Sequence, residues 1–366
     1  MSGKLKVDKT FLIITVTLIV AGFFIFSSAS LGLLAKENSN YSSVVFSQTF
    51  LGLFLGTLAL IIASRINFTF WKKSAFYIFV LAIILNILVL IPSIGFEHGG
   101  ARRWIMVAGV SFQPSEILKF AFVLYFAGWL AGAKDKVKEV REGLLPMLAL
   151  MGICGGLLLQ QPDTDTLLII VITGFAMFLA AGGRWRWILI LGCCGILGLG
   201  VLAFTRPYVM QRIQTFLNPT TNALGSGYQI QQSLIAIGSG EMFGRGFGKS
   251  VQKFTYLPEP IGDSIFAVAA EEFGFVGSVL LLALFLLFAT RGLKVASRVP
   301  NAFGRLVVVG LVIMIIAQAF VNIGAMLGVL PLSGITLPFV SHGGTSLFVS
   351  LFEVGIILAI SKTQKI

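Results

Sequence analysis

A few ionisable residues lie inside or at the ends of long apolar stretches, where a charge is costly unless it is paired. Glu116 and Lys119 are three residues apart, a spacing that places both on one face of a helix. Glu353 lies in the middle of another apolar stretch, and Asp263 and Glu271 lie at the start of a third. These residues predict acid–base or ion-pairing chemistry in one polar cavity open to the outside. A purely structural network of ion pairs stays open as the alternative.

Other polar side chains supply candidate groups for binding an anion. Arg102 and Arg103 precede a tryptophan, and Lys253 follows a glycine-rich turn over residues 238–250. Such a turn, with cations nearby, can hold a phosphate through its backbone N–H groups. A nucleotide-binding P-loop is excluded, because Phe243 stands where that motif requires glycine.

The elements that must position these residues are membrane helices. Of the 366 residues, 57% are hydrophobic and 11% are charged. Soluble domains contain about 25% charged residues, so a soluble enzyme, a disordered chain and a coiled coil are excluded. A bilayer core of about 30 Å needs about 20 apolar residues per helix. Ten segments meet or approach this length: residues 11–34, 44–64, 75–95, 115–132, 144–159, 167–182, 187–205, 264–290, 304–327 and 343–361.

The distribution of lysine and arginine predicts the orientation. With the N-terminus inside, about two thirds of the 27 basic residues fall in inner loops, Lys4, Lys6 and Lys365 among them. Lys36 falls outside. Both termini are therefore predicted to be cytoplasmic, and the net charge of +12 reflects membrane topology rather than nucleic-acid binding. The fold class is an all-α polytopic membrane protein, with residues 1–366 forming a single transmembrane domain.

Residues 206–263 form the one long outer loop, between the seventh and eighth spans. A short helix is predicted over residues 228–237, with Ile230, Leu234 and Ile237 on its apolar stripe and Gln229 on a polar one. A structural lid at the membrane interface and a substrate-contacting role both stay open. Asp263 ends the loop, where an N-cap of the next helix is the alternative to a chemical role.

Seven motifs occur in order between Ala101 and Gly344. They are Ala101-Arg102-Arg103-Trp104-Ile105, Gln113-Pro-Ser-Glu116, Gln161-Pro-Asp163-Thr-Asp-Thr166, Tyr228-Gln with Gln232-Ser-Leu-Ile-Ala-Ile-Gly-Ser-Gly240, Tyr256-Leu-Pro-Glu259, Asp263 with Phe266-Ala and Glu271-Glu272, and Thr336-Leu-Pro-Phe-Val-Ser341 with Gly343-Gly344. Together they resemble the SEDS family (shape, elongation, division and sporulation) of peptidoglycan polymerases. The resemblance is closer to the division-type FtsW branch than to the elongation-type RodA branch. Ile261-Gly262, Ser264, Glu241 and the 341–346 segment depart from the usual family residues.

The resemblance implies a glycosyltransferase that polymerises lipid II by inverting transfer during cell division, in the bacterial cytoplasmic membrane. Asp263 carries over the role of the family's catalytic aspartate. Three cations, Arg102, Arg103 and Lys253, are predicted to bind the pyrophosphate of the donor. The remaining assignments are substrate binding for Glu259, Gln229 and Asp163, and shaping of the polar cavity for Glu116, Lys119, Glu271, Glu353 and Ser341.

A divalent cation such as Mg²⁺ is an open expectation, whereas nucleotide, haem and zinc are not expected. The implied partner is a class B penicillin-binding protein that docks on the eighth and ninth spans, with other division proteins and without nucleic acid. Two other functions stay open. One is a flippase that moves lipid II or another lipid-linked precursor across the membrane, and the other is a non-catalytic division scaffold.

Overall fold

The computed structural model describes residues 7–35, 41–98, 101–107, 110–219 and 225–364. Four lysines used to predict the orientation, Lys4, Lys6, Lys36 and Lys365, lie outside these ranges. Within them, ten apolar helices correspond to the ten predicted spans. They are α1 (Lys9–Ser30), α2 (Tyr41–Arg65), α3 (Phe68–Val89), α4 (Pro114–Ala133), α5 (Leu145–Gln160), α6 (Thr164–Ala180), α7 (Trp185–Thr205), α10 (Ile265–Arg298), α11 (Ala302–Met326) and α12 (Gly344–Ser361).

Two shorter helices, α8 (Pro207–Leu217) and α9 (Ser226–Ser239), lie between α7 and α10, together with a single helical turn at Gln252–Thr255. The helices include tighter and wider turns. Leu31–Ala35 and Lys134–Lys138 are 3₁₀ segments, and Ser47–Leu55 in α2 and Val140–Leu144 before α5 are π-helical.

With the π-helical turn Val140–Leu144 counted as part of α5, nine of the apolar helices in the described ranges are long enough to cross a bilayer, and α6, with 17 residues, is shorter. Lipid offers no hydrogen bonds to the backbone, so apolar segments of this length satisfy their N–H and C=O groups internally as helices. α11 and α12 form the centre of the bundle, with 78% and 83% of their most apolar stretches buried. α7 lies at the periphery, with 6% buried.

The predicted all-α membrane fold is confirmed, with one small sheet in addition to the helices. A three-stranded antiparallel sheet, β1 (Gly95–His98), β2 (Ala101–Val107) and β3 (Val110–Phe112), connects α3 to α4. In its register Phe96 pairs with Trp104, and Ile105 pairs with Phe112. The third span ends earlier than predicted, because the residues that follow α3 turn into β1. It also begins earlier, at Phe68, where the Asn67 side chain caps the helix by accepting from the Thr69 N–H.

The predicted outer helix is present as α9, but its buried face differs from the predicted stripe. Ile230, Ser233 and Ala236 are buried, whereas Leu234 is 43% exposed. The Ser233 hydroxyl lies 3.4 Å from the Met326 sulfur of α11. α9 therefore packs on the bundle through a narrow face of small residues and one isoleucine.

A break at Gly274 divides α10. This residue has φ 66° and ψ −164°, a conformation that only glycine adopts readily. The next two N–H groups bond outside the helix, from Phe275 to the Glu241 carbonyl (2.8 Å) and from Val276 to the Met242 carbonyl (3.1 Å). The glycine-rich turn thus satisfies the backbone that the break leaves free.

The start of α1 and the end of α12 meet at one end of the bundle. The Asp8 carboxylate pairs with Arg291 near the end of α10 at 2.8 Å, and the Asp8 N–H donates to the Ser361 hydroxyl at 3.2 Å. The Lys362 ammonium donates to the Ser64 carbonyl at the end of α2 (2.7 Å). This arrangement agrees with the predicted orientation, in which both termini share one side of the membrane.

Candidate active site

Asp263 lies in a tight turn directly before α10, at the end of the bundle opposite the termini. The Gly262 and Ser264 N–H groups both donate to the Glu259 carbonyl, at 3.0 and 3.3 Å. Glu259 adopts a left-handed φ of 47°, a conformation uncommon for a residue with a side chain. Ser264, rather than Asp263, is the N-cap residue of α10. The N-cap alternative therefore does not account for Asp263.

Side chains from two other elements fix the backbone of this turn. The Asn322 amide on α11 donates to the carbonyls of Asp263 and Ile335, both at 2.7 Å. The Ser341 hydroxyl donates to the Gly262 carbonyl at 2.6 Å. Asn322 is fully buried, so the turn is held from within the bundle rather than from solvent.

Gln48, in the π-helical part of α2, binds the backbone of the segment that contains Ser341. Its amide nitrogen donates to the Ser341 carbonyl, and its amide oxygen accepts from the Gly343 N–H, both at 3.1 Å. π-helical turns are frequent at functional sites. Ser341, predicted as a structural polar residue, thus connects α2 to the turn that carries Asp263.

We expect Asn322→Ala to misplace Asp263. The substitution leaves two buried carbonyls, those of Asp263 and Ile335, without their donor, and each such loss costs about 1–3 kcal/mol. Both the melting temperature and the rate of the Asp263-dependent reaction should fall. Asn67→Ala removes an N-cap from α3 far from the site, so it should lower the melting temperature without lowering the rate. Equal rates in the two variants would contradict a positioning role for Asn322.

The environment of the Asp263 carboxyl is unusual. Burial, together with the negative charge of Glu259, raises its pKa to about 7, against a partial opposing effect from a Gln229 hydrogen bond. Gln229 also donates to the Ser264 hydroxyl at 2.9 Å, which ties α9 to the turn. A carboxyl group with a pKa near the working pH is suited to accept a proton.

The predicted ion pair between Glu116 and Lys119 is present at 2.8 Å. The Lys119 ammonium also donates to the Gln318 amide oxygen at 2.6 Å, and the Gln318 amide donates to the Thr336 carbonyl at 3.0 Å. Glu353 is buried and interacts electrostatically with Lys119. This network supports the segment that leads to Ser341.

Glu271 and Glu272 do not share that network. The Glu271 carboxylate accepts from the Ser250 hydroxyl (2.6 Å) and the Val251 N–H (3.0 Å). Glu272 pairs with the Lys253 ammonium at 2.6 Å. The carboxylate of Glu271 is completely buried. The expectation of one cavity open to the outside therefore needs correction, because the ionisable groups are divided among separate, internally paired clusters.

Lys253 requires a second correction. Its side chain is 0% exposed, and its ammonium donates to the Ser28 hydroxyl at 2.9 Å as well as to Glu272. Both donor contacts join segments distant in sequence, α1 and α10, which the sequence alone does not bring together. The structure places Lys253 in a closed ion pair, with no surface available to a pyrophosphate.

The two predicted arginines lie on β2, and their side chains differ in exposure and in hydrogen-bond partners. Arg102 pairs with Glu97 across the sheet at 3.0 Å, and its side chain is 38% exposed. Arg103 donates to the carbonyls of Gln161 (3.1 Å) and Pro162, at the break between α5 and α6. Arg103 therefore docks the sheet on the bundle, and Arg102 is the more available cation.

Asp163, predicted to bind substrate, is buried and accepts from the Thr166 N–H at 3.3 Å as the N-cap of α6. Its neighbour Asp165 makes a contact that sequence reasoning missed. The Asp165 carboxylate pairs with Arg212 of α8 at 2.8 Å and accepts from the Gly334 N–H at 3.3 Å. The signal in the sequence was a second acidic residue in the same helix break.

No three histidine, cysteine, aspartate or glutamate side chains of the described ranges cluster closely enough to ligate a metal ion. Cys154, Cys193 and Cys194 are free thiols.

Comparison with known proteins gives a consistent result. A family model described as Cell cycle protein (FtsW, RodA, SpoVE) matches residues 9–366. Stage V sporulation protein E of Bacillus subtilis (strain 168) is 37% identical, with 99% of each chain covered. A protein of Coxiella burnetii named probable peptidoglycan glycosyltransferase FtsW is 39% identical, over 97% of this chain and 96% of that protein.

Among solved structures, a chain from work on the structural coordination of polymerization and crosslinking by a peptidoglycan synthase complex superimposes with a TM-score of 0.81. It is 27% identical and covers 98% of both chains. The ordered motifs, the multi-pass helical fold and these full-length matches agree. The chain belongs to the FtsW/RodA/SpoVE family.

Proposed function

We propose that this protein is a peptidoglycan glycosyltransferase that polymerises lipid II into glycan strands. The observation that carries the proposal is the half-buried Asp263 carboxyl, whose pKa of about 7 lies near the working pH and whose turn is held by Asn322 and Ser341. The relative from Coxiella burnetii is named for this activity, and the similar solved chain comes from a peptidoglycan synthase complex.

The chemistry of the substrate sets what the site must do. Lipid II carries its disaccharide on an α-linked pyrophosphate, and glycan strands are β-linked, so the transfer inverts the anomeric carbon in a single displacement. The Asp263 carboxylate would accept the proton of the attacking 4-hydroxyl, or orient that hydroxyl, as the sugar–oxygen bond forms. The pyrophosphate leaves with the bonding electrons and needs cationic stabilisation more than a proton.

Of the three predicted cations, Arg102 is the most available to that leaving group, because its side chain is 38% exposed and its ion pair within the described residues is with Glu97 across the sheet. Arg103 would act indirectly, by fixing β2 on the α5–α6 break. A divalent cation such as Mg²⁺ would bind the pyrophosphate of the substrate and help to neutralise its charge. Glu259 and Gln229 would set the protonation state of Asp263 rather than contact the leaving group.

The protein is a multi-pass membrane protein. By the positive-inside rule the termini are cytoplasmic, so Asp263 faces the outer side of the cytoplasmic membrane, where a lipid-linked wall precursor is used. We extend the proposal to the division site and to a crosslinking partner, a class B penicillin-binding protein on α10 and α11. The similar chain from a synthase complex for polymerization and crosslinking supports such a partner.

The direct test incubates the purified protein and its transpeptidase partner with labelled lipid II and resolves the products on a gel. Glycan strands should form with the native pair. Absence of strands, together with movement of lipid II between the leaflets of liposomes that contain the protein, would replace the polymerase by a flippase.

The rate of polymerisation should depend on pH through Asp263. Because burial raises its pKa to about 7, the carboxylate is the minor form below that pH. The rate should therefore rise about tenfold per pH unit in acid and level off above pH 7. Glu259→Gln removes a negative charge that raises this pKa, so the profile should move to lower pH. Gln229→Ala removes a hydrogen bond that favours the carboxylate, so its profile should move the opposite way. A profile unchanged in both variants would rule out Asp263 as the titrating group.

A further inference from the structure

A groove with no role in the proposed chemistry lies at the end of the bundle that carries both termini. It runs between the ends of α4 and α5 as two adjoining cavities of about 480 and 650 Å³. Both cavities are lined by Trp129 and Glu142. The Trp129 indole N–H donates to the Glu142 carbonyl at 3.0 Å, which fixes the ring across the mouth of the groove.

One wall of the groove is apolar and follows a membrane helix. Leu145, Ala149 and Ile153 lie four residues apart on one face of α5, opposite Tyr125 of α4. This face extends about 12 Å along the helix. Leu145 is 57% exposed and Ile153 is 46% exposed, so the wall is open sideways to the bilayer.

The opposite end of the groove is polar and predominantly basic. Its lining residues there are Lys134, Lys136 and Arg141 with Asp135 and Glu142. None of these five charges takes part in an ion pair within the part of the chain that the structure describes. Since neighbouring clusters in this protein pair their charges internally, the unpaired cations here are available to an anionic ligand.

We propose that this groove binds a phospholipid of the cytoplasmic leaflet. The phosphate would contact Arg141, whose planar guanidinium binds phosphate oxygens in pairs. One acyl chain would lie on the α5 face, and the Trp129 ring would mark the level of the glycerol, where tryptophan is enriched in membrane proteins. Basic pockets between helices on the cytoplasmic side are typical sites for lipid headgroups.

The succession of charge, aromatic ring and open apolar wall favours a lipid over a peptide from a partner protein. A peptide would have to bury its backbone against a wall that faces hydrocarbon, where unsatisfied N–H and C=O groups are costly. An acyl chain has no such groups. The rim also carries more cations than carboxylates, so an anionic headgroup should bind more tightly than a zwitterionic one.

Native mass spectrometry of the full-length protein in detergent, titrated with phosphatidylglycerol, phosphatidylethanolamine or diacylglycerol, tests the proposal. The two phospholipids should be retained, with phosphatidylglycerol the tighter, and diacylglycerol should not. Arg141→Gln should weaken phosphatidylglycerol binding about fivefold, the effect of one basic residue at an anionic headgroup. Arg65→Gln removes an exposed arginine at the same end of the bundle and should leave binding unchanged.

A second variant tests the apolar wall separately. Ala149→Phe fills the groove from an exposed position and should abolish retention, whereas Ala180→Phe, at an exposed alanine that ends α6, should not. Equal losses in Arg141→Gln and Arg65→Gln would overturn the headgroup assignment. Retention of diacylglycerol as strong as that of phosphatidylglycerol, or unchanged binding in Ala149→Phe, would overturn the site.

Discussion

Asp263→Asn should abolish glycan polymerisation while leaving the protein folded. The amide is nearly isosteric with the carboxyl group but cannot accept the proton of the attacking hydroxyl. Loss of a general base typically lowers a rate by about 10²–10⁴-fold. The backbone contacts of the turn come from Asn322 and Ser341 and go to carbonyl oxygens, so the substitution leaves them intact. Polymerisation of labelled lipid II measures the rate, and the melting temperature in detergent measures folding.

The control for this experiment is Glu139→Gln, which also converts a carboxylate to an amide, at an exposed position near the other end of the bundle. It should leave the rate at the native value. An Asp263→Asn protein that polymerises at the native rate would remove the aspartate from the chemistry. If that variant still moved lipid II between leaflets while the native protein made no strands, the flippase alternative would take its place.

The membrane helices could be predicted because their physics is local. Each helix satisfies its own backbone in lipid, so an apolar run of sufficient length is enough to place it. The sheet β1–β3 could not be placed in this way, since its hydrogen bonds join strands rather than neighbours within one segment. The break at Gly274 could not be predicted either. A helix can break only where the freed N–H groups have other acceptors, and here these acceptors are the carbonyls of Glu241 and Met242.

The sequence predicted which residue types form the candidate site, but it did not predict which side chains contact one another. Glu116 and Lys119 pair as expected because i,i+3 spacing on a helix brings them together whatever the rest of the fold does. Asn322 and Gln48 are uncharged, so the sequence did not mark them as site residues. In the structure Asn322 binds the backbone of Asp263, and Gln48 binds the backbone of Ser341. Lys253 carried the right charge for a pyrophosphate, but its burial depends on Ser28, which lies 225 residues away.

The ion pair between Lys253 and Glu272 leads to the second large prediction. Both side chains are buried, at 0% and 1% exposed, and their charged atoms are 2.6 Å apart. Removing one partner leaves an uncompensated buried charge, which typically costs about 3–5 kcal/mol, whereas replacing both partners by neutral groups is often nearly neutral. Lys253→Met should therefore lower the melting temperature sharply, and the double variant Lys253→Met/Glu272→Gln should recover most of the loss.

The same experiment decides between a structural and a substrate-binding lysine. If Lys253 held the pyrophosphate, Lys253→Met would slow polymerisation at unchanged stability, and Glu272→Gln would not rescue it. Lys249→Met is the matched control, because Lys249 is an exposed lysine of the same glycine-rich turn. Lys249→Met should leave the melting temperature at the native value, and combining it with Glu272→Gln should not restore the stability that Glu272→Gln alone loses. Rescue by Glu272→Gln follows only if the lysine neutralises that carboxylate, since a lost substrate contact cannot be restored by removing a buried charge elsewhere.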